Sequence, residues 1–215
     1  MTTKIYNEIA INLIPQAIKL IEPLIKKDEG FERLLPNGLV TAYLDPVKIP
    51  TIGWGTVWYS NGAKVKMGDV ITVAQCQFEL EHMLAKKASE LIKHITFPIN
   101  VNQLASMLSF SYNAGVGSPT DPKKRGTVNK QFFKVFATTG DTLKAASFLE
   151  KTALTGQGSN KILAGLVNRR KKEAELFRAP VNGSNTIIVE KKKPINIIYN
   201  ASKSIVDNYR EFFGF

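Results

Sequence analysis

The chain changes texture twice, and those changes limit what it can fold into. Between residues 39 and 65 it is made of short β-prone runs and turns, while the segments before and after it carry helical stripes. Val40-Thr41-Ala42-Tyr43-Leu44 favours a strand, Asp45-Pro46 turns it, and residues 51–57 read as a second strand. Asn61-Gly62 then sits between β-prone flanks, the dipeptide that closes a tight hairpin. About three antiparallel strands follow from this pattern. The class is α+β, a small antiparallel β-hairpin lobe plus a predominantly helical lobe.

The helical stretches can be placed by their caps and stripes. Thr72-Val73-Ala74-Gln75 reads as a capping box, opening a helix striped by Cys76, Leu80, Met83-Leu84, Lys87-Ala88 and Leu91. Residues 102–112 form the next, with Leu104, Met107 and Leu108 inside and Gly115 as terminator. Thr127 opens a third, carrying Val128, Phe132, Val135 and Phe136 and stopping at Gly140; Asp141 caps a fourth that reaches Lys151. Residues 161–177 form a fifth, with Leu163, Leu166-Val167, Ala174 and Phe177 on one side before Pro180.

At the N-terminus, Tyr6, Ala10, Leu13, Ala17 and Leu20 predict an amphipathic helical extension over residues 1–21. Pro23 suits a fresh first turn, so residues 24–29 read as a separate short helix ended by Gly30. Residues 22–180 then make the main domain. Residues 181–215 read as a C-terminal extension: a linker, a short strand, and a helix striped by Ile198, Ala201, Ile205, Tyr209 and Phe212-Phe213 that docks on the main domain, pairs with the N-terminal helix, or touches a membrane or virion partner.

Composition narrows the partners. A formal net charge of +11 over 215 residues draws the protein toward polyanions without saying which. The basic runs, including Lys123-Lys124-Arg125 and Arg169-Arg170-Lys171-Lys172, have no interleaved aromatics and read as solvated faces, not as a nucleic-acid groove. Cys76 is the single cysteine and reads as core, so no internal disulfide forms. No apolar run reaches the roughly 18 residues a spanning helix needs, and no signal peptide is recognised. His82 and His94 lack metal-ligand spacing, so neither a metal nor an organic cofactor is expected.

Two carboxylates stand out. Glu29 ends a helix, where unpaired carbonyls place negative partial charge beside it, as suits a proton donor; an ordinary exposed glutamate fits the same position. Asp45 lies where a strand turns, ahead of Thr51-Ile52-Gly53-Trp54-Gly55. Strand alternation would put Thr51, Gly53 and Gly55 on one face, cleared for the close approach of a sugar chain, although a plain hairpin with glycine kinks fits equally. Two carboxyls flanking such a surface, with a hydroxyl beside one, meet the requirement for glycoside hydrolysis.

Asp28-Glu29-Gly30, Ala42-Tyr43-Leu44-Asp45-Pro46 and Thr51-Ile52-Gly53-Trp54-Gly55 together resemble the catalytic signature of phage lysozymes of the T4 and lambdoid-endolysin type. Residues 103–110 with Tyr112-Asn113-Ala114-Gly115 resemble that family's central helix, and Gly165-Leu166-Val167-Asn168-Arg169-Arg170 with Glu173 and Leu176-Phe177 its closing helix. The resemblance implies a lysozyme-like fold over residues 22–178. It assigns Glu29 as general acid, Asp45 as the carboxylate that activates water, and Thr51 as the hydroxyl that helps hold that water. Arg169 matches a basic residue beside the glutamate, and Asn113 a polar side chain offered to substrate; Asn113 fits a helix-end cap equally well.

Two departures stand out: fifteen residues separate Glu29 from Asp45, longer than the family's spacing, and Thr56 stands where many members carry histidine. The implied activity is hydrolysis of the β-1,4 bond between N-acetylmuramic acid and N-acetylglucosamine in bacterial peptidoglycan, with inversion. The implied setting is a monomer that lyses the host after holin-type release from the host cytoplasm, without nucleic acid or stable membrane insertion. A lytic transglycosylase, or a wall-binding virion component that does not cut, are the rival readings.

Overall fold

A computed structural model describes residues 2–29, 33–121, 123–152 and 162–181, with side chains from residue 12 onward. The C-terminal extension expected beyond Val181 lies outside the described residues.

Helix α1 runs unbroken over Thr2–Glu29 with Pro15 and Pro23 inside it. This corrects the separate short helix expected at 24–29. Leu13, Ile14, Ala17, Ile18, Ile21 and Ile25 are buried, and α1 packs chiefly on α3 (Val101–Ala114) and on α2 (Val73–Ile92). An interior proline costs a helix about 3 kcal/mol, but burying one Leu or Ile contributes about 1.5–3 kcal/mol, and five line this face. Packing overrides the prolines. Leu20, expected in the stripe, is 42% exposed, because the buried face runs through Ile14, Ile18 and Ile21 instead.

The β region forms two two-stranded sheets instead of one sheet of three. Strand β1 (Leu39–Thr41) pairs antiparallel with β4 (Val70–Thr72), and β2 (Tyr43–Leu44) pairs with β3 (Pro50–Thr51), placing Tyr43 opposite Thr51. The second strand expected over residues 51–57 ends at Thr51. Gly53 and Gly55 have φ of 58° and 85° and fold the chain back, so that Ile52 and Thr56 exchange backbone hydrogen bonds. The turn at Asn61-Gly62 is present, with Trp58 bridging Lys64. Ser60 ties it to α2, its N–H and hydroxyl donating to the buried Glu79 carboxylate at 2.6 and 3.1 Å.

Thr72 caps α2 by accepting from the Gln75 N–H. Asn100 and Gln103 form a reciprocal capping box at the start of α3, which ends at Gly115. A single 3-10 turn at Thr127–Asn129 precedes α4 (Gln131–Thr139); α5 (Thr142–Glu150) is capped by Asp141, and α6 (Ala164–Arg178) closes the bundle. Helix α6 begins later than expected, and Leu163 is 41% exposed, not on the buried side. Phe132, Phe136 and Phe177 join α4 and α6 edge to face around the buried α3.

The loop between α3 and α4 is clasped at its base. Thr127 and Val128 donate backbone hydrogen bonds to Gly115 and Val116, and Asn129 bonds both Ser118 and Gly126. A Cβ on Gly117 or Gly126 would collide with the other's backbone.

Candidate active site

Because α1 ends at Glu29, that carboxylate projects from the end of a core helix. Its Oε1 accepts from Arg169 Nη2 at 2.7 Å. Neighbouring Asp28 shares the same guanidinium, with Arg169 Nε at 3.4 Å, and pairs with Lys172 Nζ at 3.0 Å. Arg169 is well enclosed: burial opposes its charge, but the bond and charge of Glu29, with Asp28 and Glu173, hold its pKa above the usual value. The basic run of α6 is therefore not one solvated face. Residues three apart share a helix face, so Arg169 and Lys172 meet the end of α1, while Arg170 and Glu173 turn inward and are buried.

Asp45 sits at the start of the β2–β3 turn. Its Oδ1 accepts from the N–H groups of Val47 and Ile49 at 2.9 and 2.8 Å. Among the described residues Oδ2 has no hydrogen-bond partner. Thr51, 3% exposed, donates its hydroxyl to the Ile49 carbonyl at 3.0 Å, and the same carbonyl accepts from the Asp45 N–H. One backbone group thus fixes both Asp45 and Thr51. The proton of Thr51 is committed, which leaves its lone pairs to accept.

Tyr112, near the end of α3, relates the two halves. Its hydroxyl donates to the Trp54 carbonyl at 2.5 Å. Burial pushes its pKa well up, and the charges of Glu29 and Tyr43 act in the same direction while Arg169 opposes them. The end of α1, α6 and the β2–β3 hairpin therefore all lie within electrostatic reach of one phenol. The motif that contains Tyr112 was legible in the sequence, but this contact was not.

Gly53 and Gly55 have a different role from the one expected. They lie in a turn, not on a strand face, and the close approach that excludes a Cβ is made by the protein itself. At Gly53 a Cβ would stand 2.9 Å from Cys76 Sγ, and at Gly55 2.7 Å from the Tyr112 hydroxyl. The expected sugar-facing alternation fails because positive φ at both glycines breaks the pleat. Thr56 is buried, its hydroxyl without a hydrogen-bond partner among the described residues. Asn113 is exposed, and its Oδ1 accepts from Arg170 Nη2 at 3.1 Å; it does not cap the helix end. Cys76 is buried core, as expected, with its thiol pushed up to about 11 chiefly by burial. No metal-holding cluster of His, Cys, Asp and Glu occurs among the described residues.

A carboxyl paired to arginine at a helix end and a second carboxylate with one oxygen uncommitted are the kinds of group that acid–base displacement on a sugar requires. The phage lysozyme family model matches residues 35–173, and the chain belongs to that family. It is a peptidoglycan-degrading hydrolase of lysozyme-like fold. It is 31% identical over 154 residues to a SAR-endolysin of Pseudomonas phage phiKMV, covering 72% of this chain and 88% of that one. Among solved structures it resembles an endolysin from Escherichia coli O157:H7 phage FAHEc1 at 30% identity and a TM-score of 0.59, covering 74% of this chain and 91% of the other. A P22 lysozyme, at 24% identity and a TM-score of 0.55, shares the fold, covering 72% of this chain and 92% of its own.

Proposed function

We propose that the chain is a muramidase that hydrolyses the β-1,4 bond between N-acetylmuramic acid and N-acetylglucosamine with inversion. The observation that carries this is the uncommitted Asp45 Oδ2, on a hairpin whose Ile49 carbonyl also holds Thr51 and which is tied through Trp54 and Tyr112 to the neighbourhood of Glu29.

In this reading Glu29 gives its proton to the leaving glycosidic oxygen as the bond to the anomeric carbon breaks. Asp45 Oδ2 takes a proton from the attacking water, whose other hydrogen the Thr51 hydroxyl accepts as a hydrogen bond. Inversion requires the two carboxyls to stand roughly 6.5–9.5 Å apart with that water between them. Arg169 holds the Glu29 side chain by its direct bond, and Asn113 offers a polar group to the glycan. The enzyme works as a monomer, with no metal or organic cofactor. The expectation of holin-type release is weakened by the likeness to an enzyme named a SAR-endolysin, and host lysis with and without a co-expressed holin decides it.

Turnover of purified peptidoglycan by wild type, Glu29→Gln and Asp45→Asn tests the chemistry. Reducing muramic ends from wild type alone support the proposal. Anhydro-sugar ends, with Asp45→Asn still active, would make the enzyme a lytic transglycosylase. Binding without any cleavage would leave a wall-binding protein.

A further inference from the structure

Arg170 adjoins the arginine that holds Glu29, yet it is fully buried, at 0% exposure. Its guanidinium lies 4.2 Å over the Phe110 ring, with Nη1 3.2 Å from Glu173 Oε2. Glu173, 3% exposed, accepts from the Ser109 hydroxyl at 2.8 Å, while Ser106 donates to the Glu173 carbonyl at 2.7 Å. A buried acid–base pair whose facing atoms, Arg170 Nη1 and Glu173 Oε2, make no hydrogen bond adds little stability that a well-packed apolar pair would not supply. Stability alone does not account for this one.

The contact that does is to Asn113. Arginine has only N–H donors and no acceptor, so the Asn113 atom that faces Arg170 Nη2 at 3.1 Å must be the oxygen. The amide cannot flip without setting donor against donor. Its NH2 group is therefore turned away from Arg170, on an exposed residue directly after Tyr112, and has no hydrogen-bond partner among the described residues.

We propose that Arg170, braced by Glu173, is a positioning residue that locks the Asn113 amide in one orientation, so that Asn113 presents a donor to an acceptor oxygen of the bound glycan, such as an acetamido carbonyl. The inference rests on the muramidase reading. It adds the polarity of the contact and the buried group that sets it. Without Arg170 the amide turns freely and offers the wrong edge part of the time.

Steady-state turnover of purified peptidoglycan tests it. Asn113→Asp keeps the shape and the bond to Arg170 but removes the donor, and is expected to raise KM about five- to tenfold with kcat little changed, as loss of one neutral hydrogen bond in uniform binding would. Asn113→Ala should match it. The pair variant Arg170→Met/Glu173→Leu should raise KM about twofold in the wild-type background, since a freely turning amide presents its donor about half the time, and not at all on top of Asn113→Ala, because residues acting through one contact do not add. Its thermal midpoint reports folding separately from KM.

A wild-type KM in Asn113→Asp overturns the proposal whether or not the pair variant folds. So does an undiminished effect of the pair variant on top of Asn113→Ala. Glu29→Gln serves as the separate control. Its loss of turnover upholds the muramidase reading even if Asn113 proves indifferent, whereas a wild type without turnover removes that reading and this inference together.

Discussion

The Tyr112 hydroxyl donates to the Trp54 carbonyl at 2.5 Å, fastening the end of α3 to the turn that follows β3. Gly55 permits this, since its Cβ would stand 2.7 Å from the same hydroxyl. Tyr112→Phe is expected to lower stability by about 1–2 kcal/mol, the cost of one buried bond and its orphaned carbonyl. Gly55→Ala should cost more, combining that collision with a φ of 85°. The two losses should be less than additive, because removing the hydroxyl removes the collision. Urea unfolding of both single variants and the double measures this, and strict additivity contradicts it.

Asp45 divides its work between two oxygens. Oδ1 holds the turn through Val47 and Ile49, and Oδ2 is left over. Asp45→Asn keeps the acceptor and should stay within about 0.5 kcal/mol of wild type while losing turnover. Asp45→Ala should lose turnover and also about 1 kcal/mol or more of stability. Equal melting of the two variants would show that the turn does not depend on Oδ1.

Arg169 and Lys172 both reach the end of α1, but only Arg169 touches Glu29. Arg169→Met should therefore lower kcat by about tenfold, the equivalent of 1.4 kcal/mol in the barrier. Lys172→Met, which releases only Asp28, should change kcat less than about threefold. Initial rates on peptidoglycan at constant ionic strength compare them, and equal losses would assign the effect to general charge.

Burial pushes the Glu173 carboxyl up to about 7, although Arg170 and Ser109 pull it down. In the unfolded chain it returns to about 4.5. Between those values the native protein keeps a proton that the unfolded chain has released, so this group's contribution is present at low pH and lost as pH rises from about 4.5 to about 7. Glu173→Gln lacks that titration. Its stability relative to wild type should rise across the same window and level off above it, as thermal unfolding at steps from about pH 4 to 8 can record. A constant difference would place the Glu173 pKa at its ordinary value.

Much of this fold could be read from local signals. The caps at Thr72, Asp141 and Gly140, the Asn61-Gly62 turn and the stripe of α2 all appear where the residues put them, because each is decided by neighbours in sequence. The misreadings share a cause. Pro15 and Pro23 argue locally for breaks that the buried face of α1 overrides, and Gly53 and Gly55 look like strand residues until Cys76 and Tyr112 press against them from distant helices. Arg170 and Glu173 look like surface charges because burial of a pair depends on what α3 presents, which no local pattern reports. Position and spacing mark Glu29, Asp45 and Thr51 only as candidates, and the family motif is what assigns their roles and adds Arg169. Their hydrogen bonds required coordinates.

The knot of bonds that joins Gly115, Val116, Ser118 and Gly126 to Thr127, Val128 and Asn129 closes the root of the 119–125 segment independently of the side chains beyond it. Such a root works like the base of a graft. Residues beyond it can be lengthened, shortened or exchanged with little strain on the helices they join, since loop closure grows only slowly in cost with length.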